Sequence, residues 1–174
     1  KFTDLSWRPH QESVIEFIEA STKPIIVIKG PTGMGKSLTG MCAGLLWDKF
    51  TYLVSSKQLQ AQLHDDFSEV PMMKGRSNYA CQNNPSLDCS SCTHTKMTPC
   101  DHKGSCEYEI QKQLCLSSPW KILNYHYLLT EANFVGKFSY KDNPDNTLMI
   151  CDEGDSMELI LSNFISLSIS PSMM

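Results

Sequence analysis

A surplus of positive charge is the first thing missing from this chain. Its 174 residues carry 15 Lys and Arg against 19 Asp and Glu, a net charge of −4, so no global basic field announces nucleic acid. Any contact with nucleic acid must come from local grooves or from parts of the protein outside this sequence. Long apolar runs are also missing. None approaches the roughly 20 residues a membrane-crossing helix needs, so no membrane partner is expected. The opening Lys1-Phe-Thr-Asp-Leu-Ser-Trp7 lacks the apolar stretch of a signal peptide. Internal repeats and low-complexity linkers are absent too. The length suits one domain with a real core, or such a core carrying a small insert.

Cysteine, by contrast, is plentiful, with eight residues. An even count fits a disulfide framework in a secreted protein. A second motif argues against that setting. Gly30-Pro-Thr-Gly-Met-Gly-Lys-Ser37 is a complete G-x-x-x-x-G-K-[ST] phosphate-binding loop. It follows the apolar run Ile25–Ile28 and precedes a helix-compatible run, Leu38 to Phe50, which is the strand–loop–helix context the pattern needs. Glycines at 30, 33 and 35 let the backbone approach phosphate oxygens, beside Thr32, and the N–H groups form an anion nest. The helix N-terminus adds positive potential. Lys36 is expected to reach the β- and γ-phosphates, and Ser37 to hold Mg²⁺. A nucleotide site of this kind places the chain in the reducing cytosol or nucleus, where clustered cysteines read as metal or cluster ligands.

Val14, Ile15 and Ile18 suit one face of a short helix after Arg8-Pro9-His10-Gln11. Ile25–Ile28, Tyr52–Val54, Trp120–Leu123 and Thr147–Cys151 read as strands. Lys57–Phe67, with Leu59, Leu63 and Phe67 every four residues, and Glu107–Leu116 read as helices. Alternation of strands and helices predicts an α/β fold with a parallel sheet. The phosphate loop and Asp152-Glu153 both follow strands, so they are expected to meet at the carboxyl end of that sheet. There Asp152 would hold Mg²⁺ and Glu153 would activate the attacking water. Gln11 offers a donor and an acceptor suited to the edge of adenine, with Trp7, Arg8 and Pro9 beside it.

Met72 to Cys106 has no apolar period. A structureless segment of that length needs something other than a hydrophobic core to order it. Cys81, Cys89, Cys92, Cys100 and Cys106 lie within 26 positions of each other, and four thiolates suffice for Zn²⁺ or an iron–sulfur cluster. His94 and His102 are nearby alternatives for zinc. Cys42, Cys115 and Cys151 read as small buried hydrophobes. Lys74 and Arg76 are candidate phosphate contacts, and Tyr79 and Tyr108 are candidates for stacking on bases.

In order and spacing these residues resemble the superfamily 2 iron–sulfur DNA helicases of the XPD-like and DinG-like type. Trp7-Arg-Pro-His-Gln11 is similar to that family's adenine-reading Q motif, with Arg8 and Gln11 in the nucleotide site. Gly30–Ser37 is similar to its motif I. Leu53-Val-Ser-Ser-Lys-Gln-Leu59 is similar to motif Ia, which touches the DNA backbone. Lys74-Gly-Arg-Ser-Asn-Tyr-Ala-Cys81 resembles the lead-in to the first cluster cysteine. Cys106-Glu-Tyr108 and Lys121 to Leu128 resemble the stretch after the last, and Asp152-Glu153-Gly154-Asp155 stands at the DEAH box. The resemblance implies a RecA-like motor domain in two parts, 1–73 and 108–155, around an inserted [4Fe–4S] domain at 74–107. Residues 156–174 would begin a further insertion. It implies ATP and Mg²⁺ as cofactors, and 5′ to 3′ translocation on single-stranded and fork DNA. The second motor domain would lie outside this sequence, which would leave the isolated chain weakly active.

Three departures stand out. Gly154-Asp155 replaces Ala-His. Five cysteines compete for four places: Cys81 and Cys106 match flanking motifs, Cys100-x5-Cys106 resembles the DinG pattern and Cys89-x2-Cys92 the XPD pattern. Motifs III to VI are absent. Two other readings remain open: a P-loop ATPase or RNA helicase with a structural zinc site, and a non-catalytic nucleic-acid-binding fragment.

Overall fold

The computed structural model describes residues 6–92, 100–131 and 147–166. Its centre is a four-stranded sheet of β1 (Lys49–Val54), β2 (Met72–Met73), β3 (Trp120–Asn124) and β4 (Thr147–Cys151). All pairings are parallel, in the order β2-β3-β1-β4. In β1 the register sets Tyr52 beside Ile122 and Ile150, and Leu53 beside Leu123 and Cys151.

Side chains alternate across a strand, and here that alternation feeds two cores. Phe50, Tyr52, Val54 and Ile122 point to one face and pack with Met41 and Leu63. Those residues belong to α2 (Lys36–Gly44) and α3 (Lys57–Asp66). Leu53 and Leu123 point to the other face and pack with Tyr108, Cys115 and Leu128, from α4 (Glu107–Ser117) and α5 (Tyr125–Thr130). Ile122 and Leu123 are both fully buried. Each such side chain contributes about 1.5–3 kcal/mol, and truncating Leu123 to Ala would cost about 2–5 kcal/mol. Among the described residues the other α-helices are α1 (Gln11–Ala20), packed on α2, and α6 (Met157–Ile165).

The helix ends follow local chemistry. Ser56 caps α3, its Oγ accepting from Leu59 N at 3.2 Å, and Asn124 caps α5, its Oδ1 accepting from Tyr127 N at 2.7 Å. The helix after the phosphate loop stops at Gly44, short of the expected Phe50. A Cβ at Gly44 would stand 2.9 Å from the Phe50 ring. The glycine lets the chain double back closely, and Phe50 becomes part of β1.

One expected strand is not there. Ile25–Ile28 pairs with no strand among the described residues, and Ile25 and Val27 are 79% and 86% exposed. A wholly apolar strand needs cover on both faces; here Ile26 and Ile28 are partly covered while Ile25 and Val27 face outward.

Between Met73 and Glu107 the described chain makes only two single-turn helices, Arg76–Asn78 and Cys89–Ser91, and a bridge between Ala80 and Asp88. This segment is not detached. Tyr79 and Cys89 are buried in the same core as Leu53 and Leu123. His94, an alternative zinc ligand, lies outside the described residues.

Candidate active site

The phosphate loop leads straight into α2, with Gly35 at its N-cap. Gly33 and Gly35 have φ of 83° and 82°, the left-handed region that favours glycine. Gln11 locks the loop from behind. It is 1% exposed. Its Nε2 donates to Met34 O at 3.1 Å and Gly35 O at 3.3 Å, while its Oε1 accepts from Arg8 N at 2.8 Å. The Arg8 guanidinium in turn donates to Gly33 O. A Cβ at Gly35 would sit 2.6 Å from Gln11 Nε2, so the contact itself requires glycine. In this structure the Nε2 end of the Gln11 amide braces the loop and its Oε1 end holds the Arg8 backbone. Lys36 Nζ donates to Gly30 O at 3.1 Å and Pro31 O at 3.4 Å, folded over the loop.

Asp152 and Glu153 follow β4 directly. Asp152 N donates to Leu53 O at 2.9 Å, which continues the sheet pairing into the acidic pair. Ser37 Oγ donates to Asp152 Oδ2 at 3.0 Å. The sheet thus brings the loop and the acidic residues together, as the sequence predicts. Serine hydroxyl and carboxylate are hard oxygen donors, and they fit Mg²⁺. Bound there with nucleotide, the ion would neutralise phosphate charge. Beside the loop lies a cleft of about 490 Å³, lined by Arg8, Thr32, Gly33, Lys36 and Ser37 and walled by Leu59 and Phe67 of the α3 side. That size suits a small-molecule ligand.

Three participants escaped the sequence reading. Tyr52 Oη donates to Asp152 Oδ2 at 2.8 Å. Burial first, then the Asp152 charge, raises the Tyr52 pKa, so this hydroxyl stays a proton donor at neutral pH. Tyr125 Oη donates to the Asp152 carbonyl at 2.8 Å. Ser55 Oγ donates to Glu153 Oε2. Glu153 itself has φ 52°, uncommon for a residue with a Cβ. A buried tyrosine hydroxyl seeks a partner, and Ser55 directly follows β1 at the carboxyl edge where ligands bind. Those were the available signals.

The cysteines gather in part. Cys89 Sγ lies 4.0 Å from Cys106 Sγ. Burial, then Cys106, Cys81 and Cys92, push the Cys89 thiol up to about 11. All eight cysteines are free thiols. Among the described residues, no group of three or more Cys, His, Asp or Glu stands ready to hold a metal ion. The described residues bring one pair of thiols together and not a complete set of ligands. Segment 93–99, between Cys92 and Cys100, lies outside the described residues. Cys115 is fully buried and Cys42 and Cys151 half-buried, in keeping with a packing role.

Tyr79 and Tyr108 are not open to bases. They are 7% and 5% exposed and meet edge to face at 5.6 Å, because both fill the core beneath the cysteine segment. Arg76 lies over the Tyr108 ring at 5.4 Å.

A family profile described as "Type III restriction enzyme, res subunit" matches residues 4–154. The chain belongs to that family. A res-subunit domain is of the superfamily 2 helicase type, so the site is that of a helicase-like ATPase using ATP and Mg²⁺, in a domain of nucleic-acid-binding kind. The match spans the Gln11 brace, the phosphate loop and the acidic pair. It is to the broad helicase family and does not single out its iron–sulfur members. No curated protein and no solved structure matches the chain. Among the described residues no helix is long and apolar enough to cross a membrane.

Proposed function

We propose that this domain is the nucleotide-binding half of an ATP-dependent DNA helicase that moves 5′ to 3′ on single-stranded DNA and opens forks. The observation that carries the reading is the Ser37–Asp152 hydrogen bond, which joins the phosphate loop to the acidic pair. Lys36 would stabilise the transferred phosphoryl group, Ser37 and Asp152 would hold Mg²⁺, and Glu153 would deprotonate the attacking water. Arg8, which lines the cleft, would lie beside the nucleotide, and Gln11 would brace the loop that holds it. A second motor domain would supply the remaining transition-state contacts. In the full protein, Lys36→Ala and Glu153→Gln should each lower DNA-stimulated ATP turnover by about 10²–10⁴-fold. Forked substrates with one free tail of each polarity test direction. Undiminished turnover in both variants would defeat the ATPase reading.

For the cysteine segment we propose a bound metal on four of Cys81, Cys89, Cys92, Cys100 and Cys106, a set in which Cys106 is matched both by the flanking motifs and by its approach to Cys89. The resemblance of the flanking motifs supports a [4Fe–4S] cluster. One observation favours zinc instead. Two thiolates on one tetrahedral zinc, each about 2.3 Å from the ion, stand about 3.8 Å apart, close to the 4.0 Å between Cys89 and Cys106. Anaerobic purification separates the two: a brown protein containing iron, or a colourless one holding one zinc.

A further inference from the structure

A second cleft, of about 350 Å³, opens at the carboxyl ends of β1 and β3. Its wall includes Ser55, Lys57, Arg76, Asn78, Asn124 and His126. Lys57 and Arg76 are exposed cations. The acid at this cleft, Glu131, is already tied to Lys112 at 2.8 Å, so it does not cancel them. The cleft therefore offers two positive charges and several hydrogen-bond donors, the chemistry of a nucleic-acid phosphate site.

Ser55 belongs to both places. It lines this cleft and gives its hydroxyl proton to Glu153 Oε2. A serine hydroxyl has one proton to donate. α5 adds a second link, since His126 lines the cleft while the adjacent Tyr125 holds the Asp152 carbonyl at 2.8 Å. Glu153 sits in a left-handed backbone conformation, its N–H donating to Asp152 Oδ1 at 2.9 Å. Its carboxylate is held by Ser55, which lines the cleft.

We infer that Ser55 is a positioning residue that restrains Glu153 until a nucleic-acid phosphate in the adjoining cleft takes over its proton. With phosphate bound, the Ser55 hydroxyl turns to the phosphate oxygen and Glu153 is freed to accept the proton of the attacking water. Hydrolysis is thereby kept low without a strand and rises with one. This rests on the ATPase reading above.

The test is steady-state ATP turnover by the full protein, with and without a single-stranded oligothymidylate. Ser55→Ala should raise the DNA-free kcat about tenfold, the scale of one hydrogen bond to a charged group. KM for ATP should stay unchanged and stimulation by DNA should fall towards one. Ser55→Thr keeps a hydroxyl and should restore the stimulation. Arg76→Ala should raise the oligonucleotide concentration needed for half-stimulation. If Ser55→Ala lowers kcat equally with and without DNA, or changes neither rate, the restraint is refuted while the ATPase reading stands. If the unaltered protein shows no turnover that Lys36→Ala removes, the ATPase reading fails and the restraint with it.

Discussion

Ser37 Oγ and Asp152 Oδ2 meet at 3.0 Å although 115 positions separate them. Tyr52 Oη reaches the same carboxylate oxygen at 2.8 Å. Asp152, the proposed Mg²⁺ holder, is therefore set by a helix start, a strand end and the hydroxyl of a buried tyrosine.

Tyr52→Phe removes that hydroxyl and keeps the ring. A hydrogen bond to a charged group contributes about 1.5–3 kcal/mol, and part of this orients Asp152 for the ion. The variant should fold with a modestly lower melting temperature. Its half-saturating Mg²⁺ concentration in ATPase assays should rise several-fold. An unchanged Mg²⁺ requirement would reduce Tyr52 to packing.

Gly40→Ala tests the same contact from α2. Alanine is favoured over glycine in a helix by about 1 kcal/mol. The new Cβ, however, would stand 3.1 Å from Tyr52 Cε2 and 3.3 Å from its hydroxyl. Tyr52 is 1% exposed and has little room to give, so crowding, at about 1–3 kcal/mol, should win. Thermal unfolding should show net destabilisation. The penalty should be smaller in a Tyr52→Phe background, since the two sites touch.

Gln11→Ala and Gln11→Glu separate bracing from bulk. Alanine deletes two hydrogen bonds to the loop and one to the Arg8 backbone. Glutamate removes the Nε2 donor and sets a carboxylate against the Met34 and Gly35 carbonyls, so it should be worse. Fluorescent ATP-analogue binding should weaken about tenfold or more for alanine, the scale of lost buried hydrogen bonds, and further for glutamate. Equal affinity in both variants and the unaltered protein would contradict the brace.

The pair Lys112–Glu131, at 2.8 Å, is buried beneath the second cleft. Burial lowers the Lys112 pKa, but Glu131 outweighs it and the net shift is upward. A raised lysine pKa means the pair's stabilisation is fully present below about pH 10.4, the unfolded value. It is lost as pH climbs through the higher folded value. The stability difference between the unaltered protein and Lys112→Met should therefore shrink only at strongly alkaline pH. Glu131→Gln should cost up to about 3–5 kcal/mol by leaving a buried charge unpaired. Glu131 Oε2 has no hydrogen-bond partner among the described residues, so the pair is incompletely satisfied. The double change Lys112→Met with Glu131→Leu should recover most of the loss in chemical denaturation.

Much of the frame is legible from local pattern. The period of Leu59, Leu63 and Phe67 marks α3, observed over Lys57–Asp66, and the run Thr147–Cys151 is β4 to the residue. The phosphate loop announces its own glycines. Ile25–Ile28 shows where local pattern stops: its composition is that of a buried strand, but burial depends on covering layers that a four-residue window does not contain. Tyr52 and Ser55 were missed for a related reason. Each acts on a residue about 100 positions away, and only the register of β1 against β4 brings them to it. The cysteine segment shows the same limit, since spacing names five candidate thiols while the described fold sets only Cys89 and Cys106 at 4.0 Å.

The most direct test of the central claim is ATP turnover by the full protein in the presence of single-stranded DNA, comparing the unaltered chain with Glu153→Gln. The account predicts DNA-stimulated hydrolysis that falls by about 10²–10⁴-fold in the variant while ATP binding is retained. Hydrolysis that is absent from the unaltered protein, or that survives intact in Glu153→Gln, would contradict it.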